Sequence, residues 1–135
     1  DRTFEQNGLK ETANRLGKGI IAFSPLAQGL LTNRYLNGIP ADSRVRTDGR
    51  FLKESALTEE KLAQIRALNE IAASRGQTLA EMALAWILKD GEVTSVLIGA
   101  SRPEQILDNI KALENTTFTK EELEAIDKAS GYSKE

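Results

Sequence analysis

Apolar positions along the chain follow two different rhythms. Leu62, Ile65, Leu68 and Ile71 recur at three- and four-residue spacing between Thr58 and Gly76, which predicts a helix with one apolar face. Leu9, Ala13 and Leu16 predict a shorter amphipathic helix over residues 9–17, closed at Gly17. Residues 20–23, Ile-Ile-Ala-Phe, instead form an unbroken apolar run stopped by Ser24-Pro25, and residues 95–98, Ser-Val-Leu-Ile, give a second, mostly apolar segment. Both predict fully buried strands.

Helix starts are marked by threonine and serine. Thr78-Leu-Ala-Glu81 reads as a capping box opening a helix to about Lys89, before the Asp90-Gly91 turn. Leu79, Met82, Ala83, Leu84, Trp86, Ile87 and Leu88 leave that helix almost without a polar face, so it must be covered on several sides. Ser101-Arg-Pro-Glu104 reads as a box for a helix carrying Ile106, Leu107, Ile110 and Leu113. Thr119-Lys-Glu-Glu122 reads as another, for a last helix with Leu123 and Ile126. Residues 33–56, with Asn37-Gly38, Pro40, Asp48-Gly49 and several arginines, lack periodicity and predict a long loop, a feature that compact domains reserve for function or disorder.

Helix, strand, loop, two helices, strand, helix, helix is an α/β order with parallel strands. Parallel strands apolar on both faces occur almost only in sheets covered by helices, and an open pair exposes two edges. The sheet is therefore expected to be incomplete on its own, completed by a larger α/β protein, by a second copy or by another chain.

Composition narrows the chemistry. The 135 residues are 40% hydrophobic and 28% charged with a net charge of -2, which fits a folded domain and gives no electrostatic footprint for nucleic acid or an anionic membrane. The apolar stretch 79–88 is about half of the roughly 20 residues that span a bilayer. No secretory signal pattern stands at the start, so the expected compartment is cytoplasmic. With no Cys and no His, the chain offers no thiol nucleophile, no imidazole base and no Cys or His metal ligand. Glu59-Glu60 and Glu121-Glu122 fall in first helical turns, where acidic groups favour the helix dipole, and need no catalytic role.

Two segments carry candidate chemistry. The turn Gly99-Ala-Ser101-Arg102 leaves a strand and opens a helix, where free backbone N–H groups favour an anion and Arg102 adds a donor fork suited to phosphate. Taken alone, the same residues read more simply as a plain cap beside a solvated arginine. Ser24-Pro25-Leu26 alone reads equally as a strand end.

Taken together the segments resemble the aldo-keto reductases, which are (β/α)8 TIM barrels, and most closely the branch containing voltage-gated potassium channel β subunits and their bacterial relatives. The resemblance covers nearly the whole chain. It rests on Phe-Ser-Pro-Leu-Ala-Gln-Gly at 23–29, Tyr-Leu-Asn-Gly-Ile-Pro at 35–40, Ser43-Arg44, Ala-Leu-Ala-Trp at 83–86, Ser-Val-Leu-Ile-Gly-Ala-Ser at 95–101, Glu104-Gln105 and Asp108-Asn109. It implies that residues 1–135 are the C-terminal portion of one barrel, with strands seven and eight at residues 20–24 and 95–99 and the functional face at their C-terminal ends.

The resemblance also implies roles toward NADP(H). Phe23 stands where the family places an aromatic ring against the nicotinamide, although core packing at a strand end explains it too. Ser24, Pro25, Leu26 and Gly29 match the pyrophosphate loop, with Leu26 and Gly29 acting through backbone. Arg34 and Arg44 match basic positions of a belt over the cofactor, in the 33–56 loop, or are solvated loop charges. Gly99, Ser101 and Arg102 match the 2'-phosphate pocket, and Gln105, Asp108 and Asn109 match the residues holding the adenosine end; many relatives have Glu where Asp108 stands. The family reduces aldehydes and ketones by hydride transfer, with a Tyr acid supported by Lys, Asp and often His on earlier strands. Tyr35 and Tyr132 match none of these, so the segment alone is expected to be inactive and to have no catalytic residue of its own. Two other readings stand beside this one: a non-catalytic interaction protein like the channel subunits, and a small helix-rich binding protein in which the two apolar strands are not paired as in a barrel.

Overall fold

A computed structural model describes residues 2–41, 43, 55 and 57–133. The elements in chain order are α1 (Thr3–Gln6), α2 (Leu9–Arg15), β1 (Ile21–Phe23), 3-10 turns at Ala27–Gly29 and Asn33–Tyr35, α3 (Glu59–Ser74), α4 (Leu79–Leu88), β2 (Ser95–Leu97), α5 (Pro103–Ile110), a 3-10 turn at Lys111–Glu114, and α6 (Lys120–Ala129). The two strands pair in parallel, Ile21 with Ser95, Ala22 with Val96 and Phe23 with Leu97, which removes the reading in which the apolar runs stay unpaired. Just before the pair, Ile20 N donates to Thr94 Oγ1 at 3.0 Å and Thr94 N to Ile20 O at 2.9 Å.

The main core lies between helices. Ile65, Leu68 and Ala72 of α3 meet Leu79 and Met82 of α4 and Ile126 of α6, which is the periodicity of the sequence turned into contact. All ten residues of α4 are buried or half-buried, as its missing polar face requires. Its first turn packs on α3 and α6, while Leu84 and Ala85 further along pack with Ala112 against Val96 and Ile98 of the second strand segment.

Local chemistry sets the helix ends. Thr58 accepts from Lys61 N at 3.1 Å, and Thr78 with Glu81 and Thr119 with Glu122 close reciprocal capping boxes. The third expected box is shifted by one residue. Arg102, not Ser101, is the N-cap of α5, and Gln105, not Glu104, reaches back to it. Pro103 is the reason: the residue before a proline is driven to extended backbone, as Arg102 is at φ -143° and ψ 146°, so the helix starts at the proline itself. An arginine side chain has no acceptor, so this box is one-sided.

Arg75, beyond the end of α3, bolts three segments together. Its side chain is 2% exposed, pairs with Glu122 at 2.5 Å, donates to the Thr117 carbonyl at 3.0 Å and lies 3.7 Å over the Phe118 ring. Arg2 fastens the other end of the described chain. It pairs with Asp127 at 2.5 Å and stacks on Trp86 and Tyr132.

Two expectations of burial are corrected. Among the described residues the strands are covered on one face: Val96 and Ile98 pack on α4, whereas Ile21, Phe23 and Leu97 are 64%, 79% and 58% exposed. Strand side chains alternate between faces, so a sheet with helices on one side leaves every second residue bare unless further strands or side chains fill the other. The α2 helix forms, but Leu9 and Leu16 are exposed and Lys10 is its buried residue. The Lys10 ammonium is gathered by Asp90, by Glu92 at 2.9 Å and by Glu5 at 3.3 Å.

That cluster has a pH signature. Burial alone would push the Asp90 carboxyl up, but donation from Lys10, the backbone N–H of Glu92 and the charges of Lys89 and Lys10 outweigh it and hold the group below its ordinary 3.8. Burial alone would lower Lys10, but hydrogen bonds to Asp90 and Glu92 and the nearby carboxylate charges raise it instead. A depressed carboxyl contributes stability that is complete above its unfolded value and lost as pH falls through its folded one. The melting temperature is therefore expected to drop on acidification below about pH 4, and Asp90→Asn to flatten that drop, measured by circular dichroism. Lys10 contributes no acid limb, because its share is lost only above 10.5.

Candidate nucleotide-binding site

Parallel register brings the candidate residues together. Because Phe23 pairs with Leu97, the segments that follow, 24–31 and 98–102, leave the sheet on the same edge, from strands separated by about 4.8 Å. Among the described residues, helices cover one face of the sheet there and leave Phe23 and Leu97 exposed on the other.

The first loop is tightly wound. Ser24, Ala27, Gln28 and Gly29 have φ of 52°, 49°, 60° and 91°, left-handed backbone that costs a non-glycine residue roughly 1–2 kcal/mol. The turn is held by Ala27 N to Ser24 O at 3.1 Å, Gly29 N to Leu26 O at 2.9 Å, Leu31 N to Leu26 O at 3.2 Å and the Thr32 hydroxyl to Gly29 O at 2.7 Å. Strained backbone of this kind clusters where a loop is shaped for a ligand, and successive N–H groups in such turns form anion-binding concavities. Leu26 anchors the loop against the Leu84–Ala85–Ala112 cluster, while Ser24 is exposed and Pro25 half-buried. Gly29 has a φ of 91°, which strains any residue with a Cβ, so Gly29→Ala is expected to lower stability by about 1 kcal/mol, read from a denaturant midpoint, although the added methyl would meet Tyr35 only at an ordinary 3.8 Å contact.

The second loop presents Gly99, Ser101 and Arg102, all exposed. Ser101 N, Ser101 Oγ and Arg102 N point to one atom, Gln105 Oε1, at 2.7, 3.2 and 3.3 Å. On α5, Asp108 is paired with Lys111 at 3.0 Å and Asn109 is half-buried. Arg34 is exposed on the Asn33–Tyr35 turn, whose N-cap Thr32 accepts from Arg34 N at 3.2 Å. Arg44 lies outside the described residues. Ala27 and Gln28 carry no sequence signal of this geometry, since neither residue type favours left-handed backbone; the following Gly29 is the local cue.

Neither tyrosine is placed for proton transfer at this edge. Tyr35 is 1% exposed among Leu30, Ile39, Leu57 and Leu62, and the Tyr132 hydroxyl accepts from Gln6 at 3.1 Å while its ring covers Arg2. A depression of about 510 Å³ lies elsewhere, around Lys10, Arg15, Lys89, Glu5, Glu11, Asn14 and Glu92. Its lining is charged and polar, unlike the mostly apolar wall of a small-molecule pocket. Among the described residues no His, Cys, Asp or Glu group could hold a metal ion, and no helix is long and apolar enough to cross a membrane.

A parallel α/β unit with a strained loop and a helix start on one sheet edge defines the class, and the family follows. Residues 2–130 match the model of the aldo/keto reductase family, and the chain belongs to that family. It is 55% identical over 130 residues to L-glyceraldehyde 3-phosphate reductase of Escherichia coli strain K12, covering 94% of this chain and 38% of that protein. It is 40% identical over 121 residues to a putative voltage-gated potassium channel subunit beta of Schizosaccharomyces pombe, covering 87% of this chain and 35% of that protein. Among solved structures, a glycerol dehydrogenase from Gluconobacter oxydans superimposes with a TM-score of 0.73 at 27% identity, over 96% of this chain and 38% of that one. The chain thus spans well under half the length of these relatives.

Proposed function

We propose that the chain is the C-terminal, NADP(H)-holding part of an aldo-keto reductase that reduces aldehydes or ketones in the cytoplasm. In this reading β1 and β2 are strands seven and eight of a (β/α)8 barrel, and the strands that complete it come from the same polypeptide or a partner chain. The observation that carries it is the shared edge: one parallel pair presents both the 24–29 loop and the 99–102 turn, the two segments that resemble the family's cofactor loops.

The residues present fit a dinucleotide. We assign the left-handed turn at Ala27–Gly29 to a pyrophosphate, with the Leu26 backbone and the Ser24 hydroxyl as its donors, while Gly29, whose N–H donates to the Leu26 carbonyl at 2.9 Å, holds the turn in shape. Ser101 and Arg102 supply two N–H groups, a hydroxyl and a guanidinium for a 2'-phosphate, next to the positive end of α5. Gln105, Asp108 and Asn109 on that helix serve the adenosine end, and Arg34, with Arg44 by resemblance alone, is assigned to a basic belt over the cofactor. Phe23, 79% exposed on the bare face, offers its ring to the nicotinamide, which when bound supplies the hydride.

The acid is the missing part. Tyr35 is buried and the Tyr132 ring lies against Arg2, which supports the reading that the acid comes from another part of the protein. The purified chain is therefore expected to show no carbonyl-dependent NADPH oxidation, followed at 340 nm with DL-glyceraldehyde. Activity is expected when a polypeptide carrying the preceding part of the E. coli relative is added. Turnover by the chain alone would refute the reading.

A further inference from the structure

The first two helices are fastened to the rest of the chain differently from the others. Among residues 2–16 the one buried residue is Lys10, and none of them takes part in the apolar clusters that the later helices form. Polar groups hold the segment at two points. Near its start, Arg2 pairs with Asp127 at 2.5 Å, donates to the Ser130 hydroxyl at 3.3 Å and stacks on Trp86, while Gln6 donates to the Tyr132 hydroxyl at 3.1 Å. Further along, Lys10 meets Asp90 and, at 2.9 Å, Glu92, and Lys89 reaches back to Glu5 at 3.5 Å. The segment also has a pivot. Gly17, at φ 65°, follows α2, and residues 16–19 are all exposed before Ile20 N is tied to Thr94 Oγ1 at 3.0 Å. Leu9 and Leu16 are exposed as well, so detachment forfeits no burial of either.

We infer that residues 2–16 form a strap, latched by charge, that opens as one unit about Gly17 and Lys18 while the core of α3, α4 and α6 stays folded. Few buried apolar contacts mark the segments of lowest local stability, and helices as short as α1 and α2 do not persist once detached. Closed, the strap joins the two approaches to the sheet, since Lys10 on the helix before β1 grips Asp90 and Glu92 in the turn before β2. Open, it uncovers the face of Trp86 on which Arg2 lies. Ionic strength is the natural control, because the latch is built from partly exposed ion pairs that salt screens.

Amide hydrogen exchange of the full 135-residue chain, followed by nuclear magnetic resonance, separates this opening from unfolding of the core. The amides of Asn7, Thr12 and Leu16, bonded to the carbonyls of Thr3, Gly8 and Thr12, report the strap. Raising sodium chloride from about 0.01 to about 1 M shortens the Debye length from about 30 to about 3 Å, and is expected to speed their exchange about tenfold, against less than about twofold at Leu84 and Ala85 of α4. Lys10→Met keeps the apolar stem and drops the charge. It is expected to give a similar increase at low salt, as large at Asn7 before the substitution as at Leu16 after it, and to blunt the response to salt. The neutral quencher acrylamide reads the same event through Trp86, the single tryptophan, which is expected to become more accessible in high salt and in Lys10→Met. Exchange in α1 and α2 that ignores salt, or that salt speeds equally in the core, would overturn the inference. A Lys10→Met effect confined to α2 would overturn it too, since that is the mark of one helix fraying, and the salt series on the unaltered chain decides the matter should the variant fail to fold.

Discussion

Leu79→Ala is expected to destabilise the chain by about 3 kcal/mol, seen as a lower denaturant midpoint with an unchanged slope. Leu79 is 1% exposed at the point where α3, α4 and α6 meet, and it is also the first residue of α4, just after the Thr78 cap. Shortening it opens a cavity that Ile65, Leu68, Met82 and Ile126 fill only in part, because each is already fixed by the others. Leu107→Ala is the internal control. Leu107 is 63% exposed, so in the isolated chain the same chemical change is expected to cost less than about 0.5 kcal/mol.

Arg75→Ala is expected to cost about as much, roughly 3 kcal/mol, although it removes no core methyl group. The guanidinium is almost wholly enclosed and simultaneously answers the Glu122 carboxylate, the Thr117 carbonyl and the Phe118 ring. Its loss leaves Glu122 with the backbone N–H of Thr119, at 2.9 Å, but without its countercharge. Arg75→Lys is expected to recover less than half, since an ammonium cannot serve carboxylate and carbonyl as a planar fork does. Adding Glu122→Gln to Arg75→Ala should recover part of the loss, and a strictly additive double variant in chemical denaturation would show that the ion pair contributes nothing.

Features decided by neighbours in sequence were legible. Thr78 with Glu81 and Thr119 with Glu122 cap as their spacing says, because the interaction spans a single turn. The α5 start lies one residue beyond the Ser101 signal for an equally local reason, since Pro103 fixes the first helical residue. Features decided at a distance were not legible. The inward turn of Lys10 depends on Asp90 and Glu92, some 80 residues away, and a lysine in an amphipathic pattern looks solvated. The bare face of Ile21, Phe23 and Leu97 could not be read either, since an apolar run states that burial is wanted and not which element provides it.

The candidate site divides in the same way. Its place at the strand ends followed from the order of elements together with the family resemblance, and the parallel pairing of Phe23 with Leu97 puts the two loops on one edge. The left-handed backbone at Ala27 and Gln28 and the capture of three donors by Gln105 emerge only in three dimensions. The exposed stripe of Ile106, Leu107, Ile110 and Leu113 extends the point made by the strands. As in the strands, the pattern states that burial is wanted and not which element provides it.

The most direct test of cofactor binding at the shared edge is an NADPH titration of the ¹⁵N-labelled chain, residue by residue. Saturable shifts are expected at Ser24, Leu26, Gly29, Gly99, Ser101 and Arg102, with those at Ser101 and Arg102 much reduced for NADH. Saturable shifts confined to the Lys10 depression, or none in either loop at millimolar NADPH, would contradict the assignment of the two strand ends to the dinucleotide.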